Sequence, residues 1–486
     1  MSSMPPTTKQ ILALTAFTLA SAVAVLVLTS TIYMVDQGDY ARTISRIFVK
    51  ASPAGIESAE ALLPTEWQFA SYPLVPNPSS GTASFLFAVQ AYMASSVVST
   101  FDLRVAGVFA KLFVFGCALY IAIRVRPLTP RTCLPSYILI CGFLVIFASE
   151  HNAAFLQSFY GEYALFMGLP LLIASLYASE KRSGLALLAA ALVLCGGAKL
   201  QYFYLPGLVL CLYTALRVLR GRPTEIPVVL VLVLVQILVA LPLLRNTYSA
   251  INSYHAAALG SHLVLSKEER NDLGFGAQQE RCIGVDAWGN KIQSASSDRI
   301  VQSHPDCLRS SEISRSDSLV IYAKRPSIFL RLLLQSMPTH FTIRYFHLDA
   351  RFPYVAHLSE EREGLWTLPG RISAVRERIV DWRVGLGIII SAIAISVAVV
   401  LRSKSASMLC SAFALLMLSS FAVSQVIISL LGEGVRDLSK HLAGAQLALE
   451  FSLLLAVLLG VSSFLRKIRP ANASDGLINQ RSWLVD

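Results

Sequence analysis

The sequence predicts an all-α polytopic membrane protein: about ten transmembrane helices, membrane-surface helices and two long extracytoplasmic loops. Three observations predict it. The 486 residues are 55% apolar but only 15% charged, against roughly 25% charged in a soluble protein, so there is too little charge to cover the two or three soluble domains that this length suggests. Apolar runs approaching the roughly 20 residues of a membrane span recur along the chain. In the short loops between those runs, and in the tail, the basic residues fall mostly on one side, and that excess accounts for the net charge of +11 without nucleic acid.

The first run, 10–34, follows Lys9. It is long for a signal-peptide core, and Ala20-Ser21-Ala22 sits inside it rather than at its end, so it reads as an uncleaved span. The loop 35–104 follows; within it, 82–98 is apolar, rich in small residues and carries Gln90, which reads as a helix lying on or dipping into the membrane, with a full span as the alternative. Six runs come next: 105–123, 132–149, 163–179, 184–198, 203–216 and 226–244. The short pair 184–198 and 203–216 stands or falls as a re-entrant unit. In the second loop, 245–383, Leu330, Leu333, Leu334 and Met337 form one stripe while Arg331, Gln335 and Arg344 face elsewhere, so 326–346 reads as an interfacial helix. Runs 384–401, 406–431 and 442–464 complete the bundle, and the basic, then polar tail 465–486 is expected to be partly disordered. The organisation is therefore an N-terminal membrane module (1–244), an extracytoplasmic region (245–383), C-terminal spans (384–464) and a cytoplasmic tail (465–486).

One set of short loops carries Lys9, Arg124, Arg126, Arg131, Lys181, Arg182, Arg217, Arg220, Arg222, Arg402, Lys404 and the basic tail; the opposite short loops hold only Lys199, Arg436 and Lys440. This bias places both termini in the cytoplasm of a plasma membrane, in contact with anionic lipid. Of the eight Cys, six lie in or beside spans and behave as small apolar residues. Cys282 and Cys307 share the second loop, where an oxidising compartment would pair them and stabilise that loop by roughly 3 kcal/mol.

Acids, amides and cations gather at the outer ends of separate spans: Asp36, Asp39 and Arg42; Glu150, His151 and Asn152; Tyr160 and Glu162; Lys199, Gln201, Tyr202 and Tyr204; Glu433, Arg436, Asp437, Lys440 and His441. Charge at membrane depth is costly, and convergence from several loops points to a pocket. A carboxylate there can act as general base towards a hydroxyl, cations can hold a departing phosphate, and aromatic rings suit sugar faces. That chemistry fits sugar transfer from a polyprenyl-phosphate-linked donor. No phosphate loop or dinucleotide fingerprint supports a nucleotide donor. Lys111 is ambiguous and could snorkel outward.

Asp36-Gln37-Gly38-Asp39-Tyr40-Ala41-Arg42 resembles the first-loop acidic motif of multi-span glycosyltransferases of the GT-C type, and the plan of the whole chain is similar to theirs. Ser158-Phe159-Tyr160-Gly161-Glu162 and Asp437-Leu438-Ser439-Lys440-His441-Leu442 resemble segments of bacterial glycan-biosynthesis hexose transferases of the WsfD type. The resemblance implies an inverting transferase acting outside the plasma membrane on an envelope glycan or glycolipid acceptor. It makes Asp39, with Asp36 as the alternative, the general base; Lys440, Arg436, Arg42 and Lys199 the candidates for the donor phosphate; and Glu162 and His441 the residues that orient donor or acceptor. Glu150, His151, Tyr160, Gln201 and Asp437 complete the expected substrate site. Asp36 and Asp39 could also bind a divalent cation, although the sequence favours no cofactor. The rival expectations are an O-antigen polymerase or ligase, a transporter or flippase of lipid-linked sugar, and an assembly subunit.

Overall fold

The computed structural model describes residues 8–34, 39–50, 66–70, 74, 76, 81–125, 133–178, 180–243, 249–287, 290–292, 300–303, 307–310, 314–340, 355–357, 368–372, 382–403, 406–436 and 438–467. Each of the ten apolar runs contains a helix. The N-terminal part comprises α1 (Thr8–Leu28), β1 (Ile32–Met34), α2 (Asp39–Ile44), β2 (Phe48–Lys50), β3 (Glu66–Phe69), α3 (Gly81–Ser95), β4 (Thr100–Asp102) and α4 (Leu103–Arg124). Then follow α5 (Leu134–Ala148), α6 (Glu150–Leu156), α7 (Glu162–Leu176), α8 (Lys181–Gly196), α9 (Leu205–Leu219) and α10 (Ile226–Leu243). Among the described residues, six helical segments are long and apolar enough to cross a membrane, and a seventh span results if the bent pair α5–α6 counts as one. The chain is thus an all-α multi-pass membrane protein.

Its second loop contributes α11 (Ser249–Ala256), α12 (His262–Val264), α13 (Lys267–Asp272), α14 (Ala277–Cys282), β5 (Asn290–Ile292), β6 (Ile300–Ser303), α15 (Cys307–Ser310), α16 (Arg315–Lys324), α17 (Pro326–His340) and β7 (Val355–His357). The last helices are α18 (Trp382–Arg402), α19 (Ala406–Glu433), α20 (Leu438–His441) and α21 (Ala443–Lys467). In the bundle, α4 packs on α1, α5 and α7, α8 packs on α7 and α10, and α21 joins α19 to α5 and α7.

Two boundaries differ from the sequence expectation. The first run stops being helical at Leu28, and Ile32–Met34 instead pairs antiparallel with Val355–His357, tying the start of the chain to the second loop. The third run turns by 80° between Ala148 and Glu150. There the Ser149 hydroxyl and the Asn152 amide both donate to the Ile146 carbonyl, at 2.8 and 2.9 Å. Those bonds satisfy a helix-end acceptor that apolar surroundings would otherwise leave bare. Glu150, His151 and Asn152 consequently lie on a buried half-helix rather than in a loop. On α17, Ile328 and Leu332 are buried against the protein, while Leu330 and Leu334 of the expected stripe are exposed and available to an apolar medium.

A small sheet, β2–β3–β4, covers the segment before α7. Its Phe48, Trp67 and Phe101 rings lie 5.2, 5.3 and 6.2 Å from Phe159, and Phe87 of α3 closes on the same ring at 4.9 Å. These contacts fix the backbone that presents Tyr160 and Glu162. Lys111 does not snorkel: it is fully buried and donates to Gln157 Oε1, while Gln157 Nε2 donates to the Ile32 carbonyl at 2.8 Å. The lysine therefore braces the 157–162 segment against β1.

The predicted Cys282–Cys307 disulfide is present, with Cα atoms 5.5 Å apart. It sits in a small apolar cluster with Tyr254, Ala257, Ala258 and Val285. The loop unit docks on the end of α19 through Gly434, whose φ of +63° and close approach to the Leu259 carbonyl leave no room for a side chain. Next to it, the Val435 amide donates to the Leu259 carbonyl at 3.0 Å.

Candidate functional site

The end of the bundle where α7 begins, α8 turns into α9, and α19 turns into α21 holds a buried polar cluster. Tyr160 is at its centre and is fully buried. Lys199, from the α8–α9 turn, and Lys440, from α20, place their Nζ atoms 5.8 and 5.5 Å from the Tyr160 ring centroid. An aromatic face attracts such cations. Lys199 Nζ also lies 2.5 Å from Glu162 Oε1. The Glu162 side chain is 0% exposed, and its Oε2 has no hydrogen-bond partner among the described residues.

Gly161 makes this arrangement possible. A Cβ there would come within 2.8 Å of the Ala198 carbonyl and 2.9 Å of Lys199 Cγ, so any larger residue would push Lys199 away from Glu162. Tyr40, the second residue of α2, meets the Tyr160 ring edge-on at 5.2 Å and donates from its hydroxyl to the Met34 carbonyl at 2.7 Å. The backbone of Asp39, which opens α2, is thereby held one residue from a ring of the cluster.

A second layer adjoins the first. His441 Nε2 is 2.8 Å from Glu433 Oε2, and Asn252 Nδ2 of α11 donates to Glu433 Oε1 at 3.1 Å. Gln201 and Gln425 donate to the His441 carbonyl at 3.0 and 3.3 Å. Arg436 Nη2 lies 3.2 Å from Asp286 Oδ2, with Asp286 fully buried.

Among the sequence candidates, Tyr160, Glu162, Lys199, Gln201, Lys440 and His441 come together. Arg436 adjoins them but is engaged with Asp286, so its observed work is to clamp the disulfide-bearing unit to the bundle. Glu150 and His151 belong to a different buried polar set on α6, where Asn152 Nδ2 reaches Glu450 Oε2 at 2.8 Å. His151 is separated from Tyr160 by Phe155, whose ring lies 5.1 Å from the imidazole and 6.3 Å from Tyr160. Asp36 and Asp437 lie outside the described residues, as do the side chains of Asp39 and Arg42. No group of three or more His, Cys, Asp and Glu is placed to hold a metal among the described residues.

Sequence reasoning missed Asn252, Asp286 and Gln425; it placed Glu433 among the converging polar residues without assigning it a partner, and read Tyr40 only as part of the first-loop motif. Glu433 had a visible signal, a lone acid closing a 28-residue apolar helix. Tyr40 was hidden by the acids around it, and the other three meet the site only through tertiary contacts.

The loop unit carries its own electrostatics. Burial pushes the His262 imidazole down to about 4, partly opposed by Asp317. The Glu269 carboxyl is held down to about 2, chiefly by its hydrogen bonds from Arg331, 2.8 and 3.0 Å long, and by the Ser266 amide.

Fold and site define a class: a multi-pass helical membrane protein with a buried cation–aromatic–carboxylate cluster at one end of the bundle. The chain belongs to the family described as the YfdI N-terminal transmembrane domain, which matches residues 3–475. It is similar to the uncharacterized protein YfdI of Escherichia coli (strain K12), with 25% identity over 358 residues, covering 73% of this chain and 75% of that protein. No solved structure matches the chain.

Proposed function

We propose that the protein is a membrane glycosyltransferase of the GT-C type. It would transfer a sugar from a polyprenyl-phosphate donor to an envelope glycan or glycolipid on the outer face of the plasma membrane. The observation that carries this reading is the convergence of Lys199 and Lys440 on the Tyr160 ring, beside a buried carboxylate. Two cations from distant parts of the chain supply the charge that a departing lipid phosphate needs. The aromatic face suits the sugar, and burial strengthens each interaction. Asp39, one residue before Tyr40, is the proposed base: its carboxylate takes the proton of the acceptor hydroxyl as that oxygen attacks the anomeric carbon and the polyprenyl phosphate leaves with the bonding electrons. Glu162 sets the position of Lys199. The acid after the first helix and the clustering at one end of the bundle favour this reading over a transporter, whose site would lie near the midplane.

The test is sugar transfer in vesicles carrying polyprenyl-phosphate-linked hexoses. Asp39→Asn should insert normally and lose about 10²–10⁴-fold in rate, the usual contribution of a general base. Wild-type rates in both Asp39→Asn and Asp36→Asn would remove the base assignment. Sidedness is tested separately: an impermeant maleimide on spheroplasts should label Asn271→Cys and spare Arg182→Cys.

A further inference from the structure

We infer that His441 contacts a hydroxyl of the sugar substrate through Nδ1, with Glu433 and Asn252 as positioning residues. The inference rests on the proposed transferase reading and names what one further group in that site recognises.

Both ring nitrogens of an imidazole make hydrogen bonds, and the partner of one fixes where the other points. Here Nε2 faces a carboxylate oxygen at 2.8 Å, so Nε2 carries a hydrogen and is committed to Glu433. Glu433 is itself held: Asn252 donates to its other oxygen at 3.1 Å. The His441 backbone is fixed as well, because its carbonyl accepts from Gln201 and Gln425. The imidazole is thus oriented from both ends. Yet His441 Nδ1 is buried and has no hydrogen-bond partner among the described residues, although the next residue back, Lys440, reaches the Tyr160 ring. Most buried side-chain polar atoms are satisfied by the fold. An oriented, buried ring nitrogen beside the cation–aromatic cluster calls for one further hydrogen-bond partner, and a sugar hydroxyl, which both donates and accepts, supplies it. Asn252 comes from the disulfide-bearing unit, so that unit holds the imidazole in place through Glu433.

Two variants separate contact from support. His441→Gln can keep a donor to Glu433 and lacks a polar atom at the Nδ1 position, whereas His441→Asn keeps a polar atom near the Nδ1 position and lacks the reach to Glu433. With undecaprenyl-phosphate glucose, galactose and mannose as a donor mixture, His441→Gln should raise KM at least tenfold, with kcat changed less, and His441→Asn should recover part of that loss. A His441→Gln enzyme with wild-type KM, beside an impaired His441→Asn, would assign a structural role and overturn the inference while leaving the transferase reading intact. A second readout does not depend on turnover. In nanodiscs, the 15N resonance of His441 Nδ1 should shift when the donor mixture is added, but not with undecaprenyl phosphate alone. If the wild type transfers no sugar, the transferase reading fails and this resonance decides alone. An unmoved resonance, or an equal shift with the sugar-free lipid, overturns the inference.

Discussion

Two lysine–glutamate pairs bracket helix α8, and they are built differently. At its first residue Lys181 pairs with Glu225, and at the turn beyond its last residue Lys199 pairs with Glu162. The Lys181 side chain is 45% exposed, and Arg217 stands by as a second partner of Glu225 at 3.8 Å. Such a pair contributes about 0–1 kcal/mol. Glu162 is wholly desolvated, one of its oxygens has no partner among the described residues, and its lysine is shared with an aromatic face. A buried pair regains little net stability for its desolvation. The first pair is what a solvated helix end needs; the second has an arrangement that folding alone does not require, which supports placing the chemistry at that end.

The comparison can be broken by mutation. The largest stability effect is expected from Lys199→Met, which leaves the buried Glu162 without its cation and should destabilise the protein by about 3–5 kcal/mol. Adding Glu162→Gln should restore most of the thermal stability without restoring sugar transfer. Recovery of transfer together with stability would make the pair purely structural. Gly434→Ala forces a side chain into a left-handed backbone against the Leu259 carbonyl, which should cost upwards of about 1–2 kcal/mol and loosen the loop unit, read as faster hydrogen exchange over 249–287. A pH effect comes next. His262 is neutral when folded, with its value near 4 against 6.5 in the unfolded chain, so its contribution is complete above pH 6.5 and is lost as the pH falls from 6.5 towards 4. Melting of the loop unit should therefore weaken by at most about 1.4 kcal/mol per pH unit across that window, and His262→Phe should flatten the dependence. Lys181→Ala, the smallest change, should alter both stability and transfer by less than about 1 kcal/mol.

The helical, multi-pass character was legible, because the length of an apolar run is a local signal. The 80° turn between α5 and α6 was not, since Glu150-His151-Asn152 reads as an ordinary polar span end and only the Ile146 carbonyl contacts show why it is buried. Three-residue strands such as β1 and β7 are too short to leave an alternating pattern. Half of the site was visible as chemistry-bearing residues at run ends: Tyr160, Glu162, Lys199, Lys440 and His441. The supporting half was not. Asp286 meets Arg436 and Asn252 meets Glu433 only after the disulfide-bearing unit docks, and no spacing in the chain encodes those contacts.

The central claim is that the two lysines over Tyr160 hold the donor phosphate, and one measurement tests it most directly. Transfer from polyprenyl-phosphate-linked hexose should be compared in vesicles for Lys199→Gln, Lys440→Gln and Lys181→Gln at matched insertion. Each of the first two removes a charged hydrogen bond of about 1.5–3 kcal/mol and should raise KM for the lipid donor by about 10–100-fold, with Lys181→Gln at the wild-type value. Equal KM values for all three variants and the wild type would contradict the account.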